Sequence, residues 1–156
     1  MKRKIVGSPV GALTLLADGE VISGLYFGEC CLEVPLGDGG VFDLCSEELA
    51  AYFDGRLQHF SVPFLARGTL FRELVWGALL RIPYGETVSY RDIAVDIGNP
   101  RSVRAVGGAN HNNPISIIIP CHRVVGANGS LTGYGGGICA KRWLLDLEAK
   151  YKDKEL

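Results

Sequence analysis

Apolar and polar positions change rhythm along the 156-residue chain. Over the first 45 residues they form short β-prone runs broken by turn residues. Residues 11–17 and 21–27 are predicted as two strands joined at Asp18-Gly19, a hairpin signal. Ser46 is placed to cap a short helix over residues 47–53, which Gly55 ends. A further extended segment is expected at about residues 60–64, and Arg67-Gly68 marks a boundary.

Beyond that boundary the period lengthens to that of a helix. Thr69 is a cap for residues 70–80, where Phe71, Leu74, Val75 and Ala78 follow the spacing of one buried face. Ile82-Pro83-Tyr84-Gly85 stops that helix. Ser89 with Asp92 three residues on has the form of a capping box, opening a helix to about residue 97. Gly98-Asn99-Pro100 breaks it, and Pro100 suits the first position of a third helix over about residues 101–109. Two short helices across such a turn outline a helix-turn-helix. Ile117, Ile118 and Ile119 are predicted as a short buried strand running into Pro120-Cys121-His122-Arg123. A Gly-rich loop over residues 126–137 follows, then a helix with Trp143, Leu144 and Leu147 on its apolar face. The expected organisation is an N-terminal sheet-and-helix domain over residues 1–66, a mostly helical domain over 67–149, and a polar tail over 150–156 that frays. The fold class is mixed α/β (α+β), with a winged-helix-like second part.

Composition narrows the function. Hydrophobic residues make up 47% and charged residues 21%, enough for a packed core and unlike a disordered chain. Net charge is −1, but its distribution is uneven. Residues 1–78 hold 6 Lys/Arg against 10 Asp/Glu, whereas residues 79–156 hold 10 against 7, so the second half is the better candidate to meet a polyanion. Ordinary scatter of surface charge explains the same asymmetry. The five cysteines, Cys30, Cys31, Cys45, Cys121 and Cys139, form no CxxC pair, which fits reduced thiols in a cytosolic protein better than disulfides or zinc. The basic start is broken by Gly7, Ser8, Pro9 and Gly11 and makes a poor signal peptide; no run approaches a membrane span.

Cys121 carries the candidate chemistry. A cysteine beside isoleucines is ordinarily a small buried hydrophobe. Here Pro120 ends the apolar run, and His122 and Arg123 bring polar and cationic character that can lower a thiol pKa and supply a thiolate nucleophile. Adjacent side chains in a regular element point apart, so His122 can serve Cys121 only across an irregular turn or a bridging water. Glu148 is a candidate to orient the imidazole, though a solvated helix-end carboxylate is the plainer reading. The run Thr132-Gly133-Tyr134-Gly135-Gly136-Gly137 can let backbone approach a flat ligand, with Tyr134 over its face.

The segment Ile119-Pro120-Cys121-His122-Arg123-Val124-Val125 resembles the active-site signature of the O6-alkylguanine-DNA alkyltransferases. The resemblance extends through Tyr84-Gly85-Glu86-Thr87-Val88-Ser89-Tyr90, Arg104-Ala105-Val106-Gly107-Gly108-Ala109, Asn113-Pro114, Leu131-Thr132-Gly133-Tyr134, Trp143-Leu144-Leu145 and Glu148. It is strong over about residues 66–148 and weak before them. It implies direct-reversal repair, in which the Cys121 thiolate takes an alkyl group from O6 of guanine, irreversibly and once per molecule. His122 would receive the thiol proton through water, oriented by Glu148, and Asn113 would hold the turn around the cysteine. Tyr90 would help rotate the nucleotide and donate to N3. The second helix of the motif would enter the minor groove, with Arg104 filling the place of the flipped base and Ala105 and Gly107 allowing close approach; tight helix packing is the other reading of the glycines. Arg123 is assigned to the DNA-contacting set. Tyr134, Val124, Gly135, Ser116 and Asn110 would line the pocket.

The resemblance further implies double-stranded DNA bearing O6-alkylguanine as partner, activity as a monomer without a membrane partner, and a cytoplasmic or, in a eukaryote, nuclear setting. No cofactor is expected. No zinc set is matched among His59, His111 and His122 with the cysteines, so no metal is expected either. Ser116 and Gly135 stand where some members have proline and serine, leaving tolerance of bulky alkyl groups open. Three rival classes remain. Alkyltransferase-like proteins bind lesions without transfer but lack the cysteine, and a helix-turn-helix regulator would need additional domains. A cysteine hydrolase would leave the helix-turn-helix and Arg104 unexplained.

Overall fold

The computed structural model describes residues 1–131 and 134–154. Its N-terminal part is an antiparallel sheet of β1 (Lys2–Val6), β2 (Leu13–Asp18) and β3 (Val21–Phe27) in that spatial order. The expected hairpin is present, turning at Gly19 with φ 65°, a left-handed conformation glycine adopts without strain. β2 is central, and Leu13 to Ala17 are all buried. Both outer strands are covered. Arg3 of β1 bridges Leu36, while Ile22 and Leu25 of β3 bridge Phe64 and Ile115. Covering of this kind removes the unpaired edges that invite aggregation.

Helix α1 spans Val41–Phe53, starting six residues before the predicted first helical residue, Glu47. Gly39 and Gly40, both with positive φ, turn the chain into it. The buried face begins at Phe42 and continues through Cys45, Leu49 and Tyr52, so the core sets the start rather than the hydroxyl. Ser46 lies inside the helix, and Gly55 ends it with φ 75°. The segment expected to be extended at 60–64 pairs only at Phe64. Buried Glu48 of α1 holds it, accepting from the backbone of Ser61 and Val62 at 2.9 and 2.7 Å.

In the second part, α2 (Leu70–Leu80) has Thr69 as its cap, accepting from Arg72 N–H at 3.2 Å. Its buried face is Val75, Trp76, Ala78 and Leu79; Phe71 is only half-buried and Leu74 is exposed, a rotation from the predicted stripe. Trp76 causes the rotation by anchoring its indole N–H on the Ala109 carbonyl at 2.9 Å. α3 (Tyr90–Asp96) has both halves of the predicted capping box. α4 (Val103–His111) begins two residues later than predicted: Pro100 sits in the connecting turn, and the Ser102 hydroxyl donates back to the Asn99 carbonyl. A short parallel pair, β4 (Val88–Ser89) with β5 (Val124–Val125), ties α3 to the segment after Cys121.

Residues 117–119 are buried as expected but form a turn, not a strand, with Ile117 at φ 71°. The final helix, α5 (Gly137–Tyr151), buries Ala140, Lys141, Leu144, Leu147 and Glu148, with Trp143 half-buried. The helix reaches Tyr151, two residues into the expected tail. The ring of Tyr151 packs over Gly55, its carbonyl accepts from Gln58 at 2.9 Å, and Lys152 pairs with Glu86 at 2.9 Å.

Candidate active site

Cys121 opens a single 3-10 turn, Cys121–Arg123, between the buried isoleucines and β5. The approach is held by Asn113. Its amide donates to the Ile119 carbonyl at 2.8 Å, and its oxygen accepts from Ile115 N–H at 3.0 Å. The sheet supports the same segment, with Leu25 N–H donating to Pro114 and Leu25 carbonyl accepting from Ser116 N–H. These bonds select a turn over the strand expected for three isoleucines, since buried backbone groups must be paired somewhere. On the other side Asn110 of α4 donates to the Cys121 carbonyl at 3.4 Å.

Glu148, read from sequence as a candidate with a plainer solvent-facing alternative, is fully buried and is the hub of the site. Its Oε2 accepts from Tyr52 hydroxyl at 2.6 Å, His122 Nε2 at 2.7 Å and Arg123 Nη2 at 3.0 Å. Its Oε1 accepts from Arg123 Nε at 2.8 Å and Gly85 N–H at 3.2 Å. Burial raises the Glu148 pKa, but His122 and Arg123 outweigh it and hold the carboxyl well below the usual range. An ionised carboxylate only accepts, so His122 must carry its proton on Nε2. That leaves Nδ1 as a lone-pair acceptor, buried and without a hydrogen-bond partner among the described residues. Burial also lowers the His122 pKa despite Glu148, so the ring is neutral at neutral pH. A neutral imidazole of fixed tautomer with a free basic nitrogen is a general base in waiting.

Arg123, assigned from sequence to the DNA-contacting set, is buried instead. Its third donor meets the Ile82 carbonyl at 2.7 Å, and its guanidinium lies 5.7 Å from the Tyr84 ring centre. Three of its N–H groups are committed inward, to Glu148 and the Ile82 carbonyl, which turns the guanidinium away from the surface. The expectation that His122 and Arg123 acidify the thiol is likewise replaced. Burial pushes the Cys121 thiol up, and the groups that pull it back are Asn113, Lys141 and Ser116. Lys141, not identified from sequence, is fully buried, donates to the Val124 carbonyl at 2.6 Å and stands 5.8 Å from the Tyr134 ring centre. A signal for it existed. Lys141, Leu144 and Glu148 recur at helical spacing on the apolar face of α5, where charges are expected only for a purpose.

Around the thiol, Tyr134 is buried against Phe27, and its hydroxyl has no hydrogen-bond partner among the described residues. Burial, then the nearby Cys121, pushes its pKa well above the usual value. Ser116 and Gly135 share with Asn113 the wall of a cleft of about 410 Å³, whereas Val124 is wholly buried and does not line it. Thr132 and Gly133 of the predicted loop lie outside the described residues. On α4, Arg104, Ala105 and Gly108 are exposed and Gly107 is half-buried. A Cβ at either glycine would meet nothing within 4 Å, so tight helix packing does not account for them. Tyr90 starts α3, half-buried.

Comparison with known proteins agrees with this geometry. Residues 1–66 match the family described as 6-O-methylguanine DNA methyltransferase, ribonuclease-like domain, and residues 70–150 match its DNA binding domain. A methylated-DNA–protein-cysteine methyltransferase of Mycobacterium tuberculosis is 52% identical over 149 residues, covering 93% of this chain and 90% of that protein. One of Methanosarcina acetivorans is 48% identical, covering 92% and 96%. The crystal structure of the M. tuberculosis O6-methylguanine methyltransferase in complex with DNA superposes with a TM-score of 0.91 at 48% identity, covering 97% of this chain and 94% of that one. The chain belongs to the 6-O-methylguanine DNA methyltransferase family.

Proposed function

We propose that the chain performs direct-reversal DNA repair with Cys121 as the alkyl acceptor and O6-alkylguanine in duplex DNA as the substrate. The observation that carries this reading is the locked imidazole of His122, with Nε2–H spent on Glu148 and Nδ1 left basic beside the cysteine turn. Through a water, Nδ1 takes the Cys121 proton. The thiolate attacks the alkyl carbon, the carbon–oxygen bond breaks, and guanine leaves with its charge stabilised by donors at its edge. Lys141 supplies the buried positive charge that favours the thiolate. The target base must leave the stack, at a cost of roughly a few kcal/mol, with Arg104 filling its place and Tyr90 assisting rotation. The low surface at Ala105, Gly107 and Gly108 admits the minor-groove edge of DNA. The thioether product is stable, so each molecule acts once. The protein works as a monomer, one lesion needing one site, in the compartment that holds the chromosome.

The test is intact mass after incubation with a duplex carrying one O6-methylguanine, followed by peptide mapping. One methyl, a gain of about 14 Da on the Cys121 peptide saturating at one per protein, is expected from a nucleophile with no regeneration step. Tight lesion binding with no added mass would overturn transfer in favour of a lesion-binding role. Cys121→Ser should keep DNA binding and lose all gain in mass.

A further inference from the structure

Just past the end of β3, two adjacent thiols meet. Cys30 and Cys31 follow β3, both half-buried, and the Cys31 thiol donates to the Cys30 sulfur at 3.7 Å. Backbone bonds hold the pair from both sides. Cys30 N–H donates to Thr14 Oγ1 at 3.1 Å, and the Cys31 carbonyl accepts from Val34 N–H at 2.9 Å. Cys31 takes φ 55°, a conformation that side chains rarely adopt and that the surrounding bonds must enforce. Arg3 stands over the turn, donating to the Val34 and Leu32 carbonyls at 3.0 and 3.4 Å. Burial, then the bond to Cys30, pushes the Cys31 thiol up, and the Arg3 charge offsets this only in part. Cys30 is half-buried and lines the cleft of about 410 Å³ with Tyr26, Asn113, Ser116 and Gly135, a space wide enough to admit a small molecule.

We propose that Cys30 and Cys31 form a dithiol modification site that reacts with low-molecular-weight disulfides such as oxidised glutathione. Cys30 is the attacking sulfur, because it lines the cleft and Cys31 does not, while the Cys31 S–H points at it. It bonds to one sulfur of the reagent, the reagent's S–S bond breaks, and one thiolate leaves. Cys31 then gives its proton to solvent and attacks the Cys30 sulfur, releasing the second thiolate and leaving a Cys30–Cys31 disulfide. Two protein thiols lose two electrons, and one reagent disulfide becomes two thiols. Adjacent Cα atoms are about 3.8 Å apart, shorter than the usual disulfide range of about 4.4–6.8 Å. The ring is therefore strained and readily reduced, which makes this a reversible modification rather than a structural crosslink.

The test treats the full chain with oxidised glutathione and maps every cysteine by mass. Cys139, exposed on α5 and with no sulfur partner among the described residues, is the internal reference and should keep a glutathione adduct of about 305 Da. The Cys30–Cys31 peptide should instead lose about 2 Da and recover on reduction. In Cys31→Ser the resolving thiol is gone, and Cys30 should hold the adduct. A stable adduct on Cys30 in the unaltered protein overturns the proposal. So does a disulfide from either residue to another cysteine, or a pair left as free thiols.

Discussion

Each part of the molecule buries a glutamate on a helix, and the two are satisfied by different kinds of group. Glu48 in the N-terminal part accepts from two backbone N–H groups and the Ser61 hydroxyl, and so closes a loop within its own region. Glu148 in the C-terminal part accepts chiefly from side chains, one of them a histidine with an unused nitrogen and one a tyrosine from the other part. Fixed backbone donors make a joint. Titratable donors with a free position make a site that can pass a proton. Glu148→Gln should break this contrast most severely. It leaves Arg123 buried without its counter-charge, a loss of about 3–5 kcal/mol, measurable by urea unfolding, and alkyl transfer should fall with it.

The pH dependence of stability tests the same contrast. The folded pKa of Glu148 lies below its unfolded value of about 4.3, so its contribution is present above that pH and is lost as pH falls toward the folded value. The folded pKa of His122 is also lowered, from an unfolded value of about 6.5, so the unfolded chain binds more protons and stability falls as pH drops below that point. Unfolding free energy should therefore decline in two stages, starting near about pH 6.5 and again near about pH 4.3. His122→Gln should remove the first stage, and an unchanged slope in that variant would refute the assignment.

Tyr52→Phe probes the donor that Glu148 receives from the N-terminal part. A hydrogen bond to a charged group contributes about 1.5–3 kcal/mol, so a loss of that size is expected with folding intact. Oε2 would keep more negative charge for the imidazole, raising the His122 pKa. The acid limb of the transfer rate should then move to higher pH, and an unmoved limb would reduce Tyr52 to a packing role. Glu48→Gln should cost about 1–3 kcal/mol, with the lower end favoured because Ser61 is exposed to water. Its transfer rate per folded molecule should be unchanged.

What could be read from the sequence followed the range of the interactions. The Ser89–Asp92 capping box and the Thr69 cap depend on residues three apart, and both formed as expected. The turn at residues 117–119 could not be read locally, because Asn113 and the edge of β3 decide it against β-branched preference. The start of α1 was misplaced for a related reason: Ser46 offered a good local cap, but the core reached back to Phe42. Cys121 was legible as a candidate nucleophile. The burial of Glu148 and Arg123 was not, since it requires Tyr52 and the Gly85 turn, 96 and 63 residues from Glu148. Lys141 was missed because a lysine on a helix ordinarily faces water.

The smallest effect expected is also the one whose two readouts move in opposite directions. Gly107 and Gly108 lie inside α4, where glycine is about 1 kcal/mol less favourable than alanine. No neighbour requires them, since a Cβ at either position meets nothing within 4 Å. Gly108→Ala should therefore stabilise the free protein by up to about 1 kcal/mol. If α4 is the face that enters the groove, the added methyl stands between helix and DNA, and affinity for a lesion-bearing duplex should fall. The N-terminal part offers the control. At Gly55, φ is 75° and a Cβ would meet the Tyr151 ring at 2.5 Å, so Gly55→Ala should lower stability and leave the affinity of the folded fraction unchanged. Thermal melting and a DNA titration on both variants separate a glycine kept for the fold from one kept for the ligand. A Gly108→Ala protein that is more stable and binds DNA as tightly as before would remove α4 from the interface.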